Sequence, residues 1–354
     1  MSFHNSTLWE IRPSFKYDVL TFLNVLTGDP FYASYYPGEY ERFEPQLTPE
    51  VREALAGIKR KIKDDGGGIV SAFLTLYFSA ANAETLDEML TAVRDSERMR
   101  ETLRGTEYYS EEGWALYESV RPELETVFDF LLAICFSDDW CSRIRPGIEK
   151  KIEEVEVRLP EFNVIKAVES HLGRPLSSGE ITVYMLHYSQ PHGIKITCNR
   201  FLTDVAWSFS IVIRNAVHEM MHPPYDLRTD RELSAAIERW KSDSFLMAKV
   251  EHHDPSFGYN SFEGFVEEDV VQAIDQIINE RLEIADDPLS RWKENDGGMH
   301  VLAVALYQIM KKERFGETGE SLRGFLIRQI EAGDLKPGQV KGLNDSFFGE
   351  SAAK

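Results

Sequence analysis

Cysteine is scarce in this sequence: three in 354 residues, at Cys135, Cys141 and Cys198. An odd, scattered set excludes a disulfide framework, and no CxxC pair supplies the spacing of a zinc ribbon. A reducing, cytoplasmic setting is the expectation. Long apolar runs are missing too. The longest, Gly68 to Ala83, is interrupted by Ser71, Thr75, Ser79 and Asn82, which reads as a buried helix rather than a bilayer span. The first residues lack a basic stretch followed by an apolar core, so no signal peptide is read there and no membrane partner is expected. Positive charge is in deficit: 39 Lys+Arg face 59 Asp+Glu, a formal net charge of −20. The longest basic run is Lys59-Arg60-Lys61, and a surface of net negative sign repels a phosphate backbone, which excludes nucleic acid as the main partner. There is no internal repeat and no low-complexity tract. What is present is a 43% hydrophobic chain, long enough to bury the core of one large domain or two ordinary ones.

Apolar residues recur at three- and four-residue spacing in Val51, Leu55, Ile58 and Ile62, in Leu86, Leu90 and Val93, and across Val127 to Ile134, so Pro49 to about Leu172 reads as helices. The aromatic, turn-rich segment Asp29 to Tyr40 reads as an ordered loop. After Gly179 the period changes. Ile181 to Tyr188 is β-branched and aromatic, Ser189 to Gly193 is a turn cluster, and Ile194 to Cys198 alternates, a pattern that predicts a β-hairpin. Trp207 to Met221 returns to helix and ends at Pro223-Pro224, which cannot donate to the helical ladder. Thr229 and Glu232 have capping-box spacing and open a helix to about Val250. Further helices are expected from near Asn260 and over Met299 to Lys312.

One constellation carries chemistry. Residues 218 to 222 read His218-Glu219-Met220-Met221-His222, an HExxH motif on a segment of helical period. Residues i and i+4 share a helix face, so both imidazoles can meet one zinc ion, while Glu219, about 100° round the helix, can reach a water on that metal and take its proton. Uncharged flanks, Ala216, Val217, Met220 and Met221, suit a helix buried beneath an active site. A catalytic zinc needs a third protein ligand. Tyr225 and Arg228 stand where a metzincin has Gly and His, and Lys241 and Ser242 stand where thermolysin-like spacing would put a Glu.

Downstream, Asn260-Ser-Phe-Glu-Gly-Phe-Val-Glu-Glu-Asp269 resembles the Glu-Gly-Phe motif in which several gluzincin families place a glutamate ligand on a second helix. The resemblance is to the gluzincin division of the zincin metallopeptidases, and it covers roughly residues 180 to 282. It implies one zinc per chain held by His218, His222 and Glu263, with Glu219 as general base. Glu267 is implied as the carboxylate behind a ligand histidine, or as the rival third ligand. The gap of 40 residues between His222 and Glu263 is longer than in familiar members and makes room for an extra helix. Asn260 and Glu263 also have N-cap to N3 spacing, so Glu263 has a capping alternative. His252 and His253 are rival ligands, whereas Glu268 and Asp269 read as a solvated or salt-bridged surface.

Gluzincins bind an extended substrate against an edge strand, and Ile194 to Cys198 is the candidate. His300 and Tyr307, seven residues apart on one helical face, and Tyr259 are candidate donors to a developing oxyanion. The expected fold is α+β and mainly α-helical: a helical N-terminal domain over 1–175, then a zincin-like catalytic domain over 176–354 with a small antiparallel sheet beside the HExxH helix. The expected function is a zinc-dependent metallopeptidase that hydrolyses peptide bonds through a zinc-bound water activated by Glu219, with a peptide or protein as partner. The alternatives are a non-catalytic helical binding or scaffold protein with a relic motif, and a zinc hydrolase of non-peptide amides or esters.

Overall fold

The computed structural model describes residues 3–351. Helices dominate, with one four-stranded mixed sheet, an α+β arrangement. By backbone contacts the chain forms two compact units that interleave along the sequence. One comprises Leu8–Glu161 and Glu180–Val212; the other comprises the residues up to Thr7, Phe162–Gly179, and the chain from Ile213 onward. Residues 176–354 are therefore shared between the two units. Among the described residues no helix is long and apolar enough to cross a membrane.

The first unit holds the sheet. Its strands are β1 (Leu8–Pro13), β2 (Glu180–Leu186), β3 (Ile194–Ile196) and β4 (Arg200–Asp204), in the order β1-β2-β4-β3. β2 runs parallel to both neighbours, with Ile11 opposite Val183 and Val183 opposite Phe201, and only β3 is antiparallel, with Ile194 opposite Leu202. The expected antiparallel sheet is thus a mixed one. The hairpin joins β3 to β4, not β2 to β3, and it turns at Cys198, whose φ is +62°. β2 is buried along nearly its whole length, which is why it reads as a continuous apolar run. β3 lies at the edge of the sheet.

A helix over Phe15–Leu26, started by the Ser14 hydroxyl accepting from the Tyr17 N–H, is buried almost throughout and packs on the helix Val70–Phe78. Phe22 stacks on Phe136 with ring centroids 5.0 Å apart and on Tyr188 at 4.4 Å. Asp18 ties this layer together. It is wholly buried and accepts from Trp140 Nε1 at 2.8 Å and from the His187 and Tyr188 N–H groups at 2.7 and 3.0 Å.

The second unit is helical. At its centre runs Phe262–Arg281, called here the carboxylate helix, packed against Val301–Glu313. Its N-cap is Ser261, whose hydroxyl accepts from the Gly264 N–H at 3.1 Å, so Asn260 is not the cap. Phe265 through Asn279 is buried almost all round, including Glu268, Asp269, Gln272, Asp275, Gln276 and Asn279. Buried polar side chains in such number need partners, and they mark the helix as more than packing. The motif helix spans Phe209–Glu219, shorter than expected. Met221 and His222 continue it as a tight turn, their N–H groups donating to the carbonyls of His218 and Glu219, because Pro223 disfavours helical geometry at the residue before it. The helix expected from Thr229 to Val250 is two, Arg231–Glu238 and Ser244–His252, capped by the side chains of Asp230 and Asp243.

Candidate metal centre

The motif turn points both imidazoles at one spot. His218 Nε2 and His222 Nε2 lie 3.2 Å apart. On their far sides, His218 Nδ1 faces Asp275 Oδ2 at 2.8 Å and His222 Nδ1 faces Glu267 Oε1 at 3.2 Å. A carboxylate can only accept, so each Nδ1 carries a hydrogen, and in its neutral form each ring turns its Nε2 lone pair inward. Two lone pairs at 3.2 Å repel unless a cation or proton lies between them.

The third group is Glu268, only 2% exposed. Its Oε2 stands 3.6 Å from His218 Nε2 and 3.5 Å from His222 Nε2 and has no hydrogen-bond partner, although it is buried. A tetrahedral ion with bonds of about 2.0–2.1 Å holds its ligand atoms about 3.3–3.4 Å apart. The three separations fit that spacing, and a metal accounts for an orphaned carboxylate oxygen that water does not reach. Among the described residues these three form the one group of His, Cys, Asp or Glu side chains close enough to hold a metal.

Glu263 does not belong to the cluster. Half exposed, it pairs with Lys241 at 3.2 Å, on a different face of the helix. Glu263 and Glu268, five residues apart, lie about 140° round the helix from each other, so only one of the two can aim at the Nε2 atoms. That residue is Glu268. The expectation of a surface role for Glu268 and Asp269 is corrected with it, since both are buried. Glu267 takes the place behind His222.

Around the ligands lies a buried polar scaffold. Arg291 grips Asp275 with both terminal nitrogens, and its NH1 also donates to Gln276 Oε1 at 3.0 Å. Gln272 Nε2 donates to Glu268 Oε1 at 2.9 Å and lies 3.0 Å from His300 Nε2. His300 Nδ1 pairs with Asp269 at 2.6 Å, and Asp269 accepts from the Leu302 and Ala303 N–H groups at a helix N-terminus. Both ring nitrogens of His300 are therefore engaged, with Asp296 also 3.0 Å from Nε2. Tyr307 is remote from the cluster. Its hydroxyl donates to Glu280 at 2.6 Å, and Glu280 lies about 18 Å along the helix from Glu268 at the usual helical rise. His253 faces backbone carbonyls of Lys249, Val250 and Gly258, and neither it nor His252 joins the cluster.

Tyr259 does lie at the site. The residue is 36% exposed, and its hydroxyl lies in the field of Glu268, Glu219 and Asp296. Burial and those carboxylates hold the hydroxyl protonated, well above the ordinary tyrosine range. Glu219 is 7% exposed and sits beside both His218 and Tyr259.

The charges follow from the geometry. Burial draws His218 down, but Glu268 and Asp275 outweigh it and hold the imidazole well above its usual value. For His222, burial is likewise overcome by Glu267 and Glu268, which push it up to about 9. Burial would raise Glu268, yet the two histidines hold it well below the usual carboxylate range. Burial also opposes ionisation of Asp275, and Arg291 and His218 keep it low. For His300, burial is overcome by Asp269 and the ring is pushed up to about 10, while burial raises Asp269 above its usual value. The whole cluster is a built receptor for a cation.

Two imidazoles from an HExxH turn, a downstream glutamate and a carboxylate behind each ring make the metal-binding arrangement of the HExxH-type zincins. Buried beside Glu219, this is the active-site arrangement of a zinc-dependent hydrolase. No protein-family model matches the chain, and comparison with curated proteins and with solved structures gives no significant match.

Proposed function

We propose that the protein is a zinc-dependent metallopeptidase. The observation that carries the reading is the convergence of His218 Nε2, His222 Nε2 and the unpartnered Glu268 Oε2 at tetrahedral spacing beside Glu219. His218, His222 and Glu268 would hold the zinc. Bound there, zinc supplies a Lewis acid and lowers the pKa of a coordinated water toward neutrality. Asp275 and Glu267 fix the ring tautomers and raise the basicity of the ligand nitrogens, and Arg291 and Gln272 hold Asp275 and Glu268 in place.

Glu219 serves as general base and then general acid: it takes the proton of the attacking water and passes it to the leaving amide nitrogen. Tyr259, a protonated phenol facing the same carboxylates, is the donor to the oxyanion that forms as the carbonyl carbon becomes tetrahedral. The residue is partly exposed, which leaves it accessible to substrate. His300, with both nitrogens occupied, and Tyr307, remote on Glu280, are not assigned that role.

The test is turnover of a peptide library by the zinc-loaded protein and by Glu219→Gln. The expected result is cleavage by the native chain and a loss of about 10²-fold or more in kcat for the variant, with zinc content unchanged. Zinc-loaded native protein that cleaves no peptide would overturn the peptidase reading.

A further inference from the structure

Tyr259 stands on a strained turn. Its φ is +58° and that of Gly258 before it is +85°, two left-handed residues in succession. Glycine adopts such a backbone freely, but a bulky residue does so only where its surroundings hold it there. Released, Tyr259 would relax to negative φ, and that rotation about its N–Cα bond would swing the side chain away from its present place.

A hold comes from His253. The residue follows directly on the helix Ser244–His252, and its ring lies between that helix and the turn. Its Nε2 is 3.0 Å from the Gly258 carbonyl oxygen, while Nδ1 faces the Val250 and Lys249 carbonyls at 3.0 and 3.2 Å. Carbonyl oxygens only accept, so with hydrogen on Nε2 the ring donates to Gly258. That carbonyl belongs to the rigid peptide plane shared by Gly258 and Tyr259, so fixing it fixes the reference from which Tyr259 turns. The ring also packs on Phe265 of the carboxylate helix, with centroids 5.9 Å apart, which joins the turn to the element that carries Glu268. Other bonds close the turn only on itself: the Gly258 N–H and Asn260 Nδ2 both donate to the Pro255 carbonyl at 3.2 Å. His252, by contrast, faces the Ala248 carbonyl of its own helix at 2.9 Å.

We propose that His253 is the positioning residue of Tyr259: it donates to the Gly258 carbonyl and so holds the left-handed turn that presents the phenol to the metal centre. The inference rests on the reading of Tyr259 as the oxyanion donor of a metallopeptidase.

Two measurements test it. The first is hydrogen exchange at the amides of 257–260, which requires neither metal nor substrate. Exchange should quicken by about tenfold or more in His253→Ala and stay near native in His253→Gln, whose side-chain amide can donate from about the place of Nε2. The second is turnover of a peptide that the zinc-loaded native chain cleaves. His253→Ala should lower kcat by about tenfold with KM and zinc content nearly unchanged, His253→Gln should restore most of the loss, and His252→Ala should behave as native. In a Tyr259→Phe background His253→Ala should cost nothing further, since the group it positions is gone. Gly258→Ala, unfavourable at φ +85°, should give the same non-additive loss and serves if His253→Ala fails to fold. Unchanged exchange or unchanged kcat in His253→Ala, or a loss that persists in full beside Tyr259→Phe, overturns the positioning role and leaves the metal centre standing. Zinc-loaded native protein that cleaves no peptide overturns the metallopeptidase reading and this inference with it.

Discussion

His218 and His222 present their Nε2 atoms to each other at 3.2 Å while their Nδ1 atoms are each held by a carboxylate, Asp275 and Glu267. Two rings locked in that tautomer form a stable pair only around a positive charge. Glu268, buried and with one oxygen unpartnered, completes the triangle. The architecture of the second unit, with its central helix buried almost all round from Phe265 to Asn279, holds these three atoms and their supports.

The pair Arg291–Asp275 is the support with the clearest expected effect. Asp275→Ala frees His218 Nδ1 and should weaken zinc binding by about 10–100-fold, as loss of a carboxylate behind a ligand histidine does. Arg291→Ala leaves Asp275 buried without its cation and should cost about 3–5 kcal/mol of stability. Competition with a chelating dye reads the first effect and denaturant unfolding the second.

Zinc binding should depend steeply on pH. In chelator-treated protein the His222 imidazole is held up at about 9, so near neutrality the cluster carries a proton that the metal must displace. Between about pH 6 and pH 8 the affinity should rise by about tenfold per unit for each proton released, and calorimetry in buffers of different ionisation enthalpy counts those protons. The stability of the chelated protein should run the other way. A histidine raised from 6.5 contributes its stabilisation in full below pH 6.5 and loses it as pH climbs through about 9.

Tyr259→Phe removes the proposed oxyanion donor while leaving the three proposed metal ligands in the chain. A fall of about 10²-fold in kcat is expected, with KM and zinc content nearly unchanged. An equal loss from Tyr307→Phe would contradict the placement of Tyr307 on Glu280.

Asp18 tests the first unit independently. Asp18→Ala leaves the Trp140 indole and two backbone N–H groups buried and unpaired, at a cost of about 1–3 kcal/mol each. Unfolding should shift by several kcal/mol, measured by denaturant titration.

The HExxH turn and Glu219 are legible in the sequence because their geometry is local: i and i+4 share a face whatever surrounds them. The third ligand is not, because Glu263, Glu267, Glu268 and Asp269 differ only in angle round one helix. A helix buried almost all round beyond its first turn has no continuous polar face from which that angle can be read. The Glu-Gly-Phe resemblance favours Glu263, whereas the cap at Ser261 and the pairing with Lys241 place it outside the cluster. Glu267 is legible as the carboxylate behind a histidine, from its position four residues on. The sheet is misread for a similar reason: β1 pairs with β2 across some 170 residues, in parallel, and no turn signal marks such a partner. Tyr259 is a candidate donor in the sequence without a motif behind it, whereas Gln272 and Arg291 give no signal there, and only the fold brings them to the site.

The most direct test of the central claim is metal content per chain by elemental analysis, for the native protein, Glu268→Ala and Glu263→Ala after incubation with zinc and desalting. The account predicts about one zinc in the native protein and in Glu263→Ala, and little in Glu268→Ala, since removing a ligand exceeds the 10–100-fold loss seen for groups behind the ligands. A native protein that holds no zinc, or a metal lost with Glu263 and kept without Glu268, would contradict it.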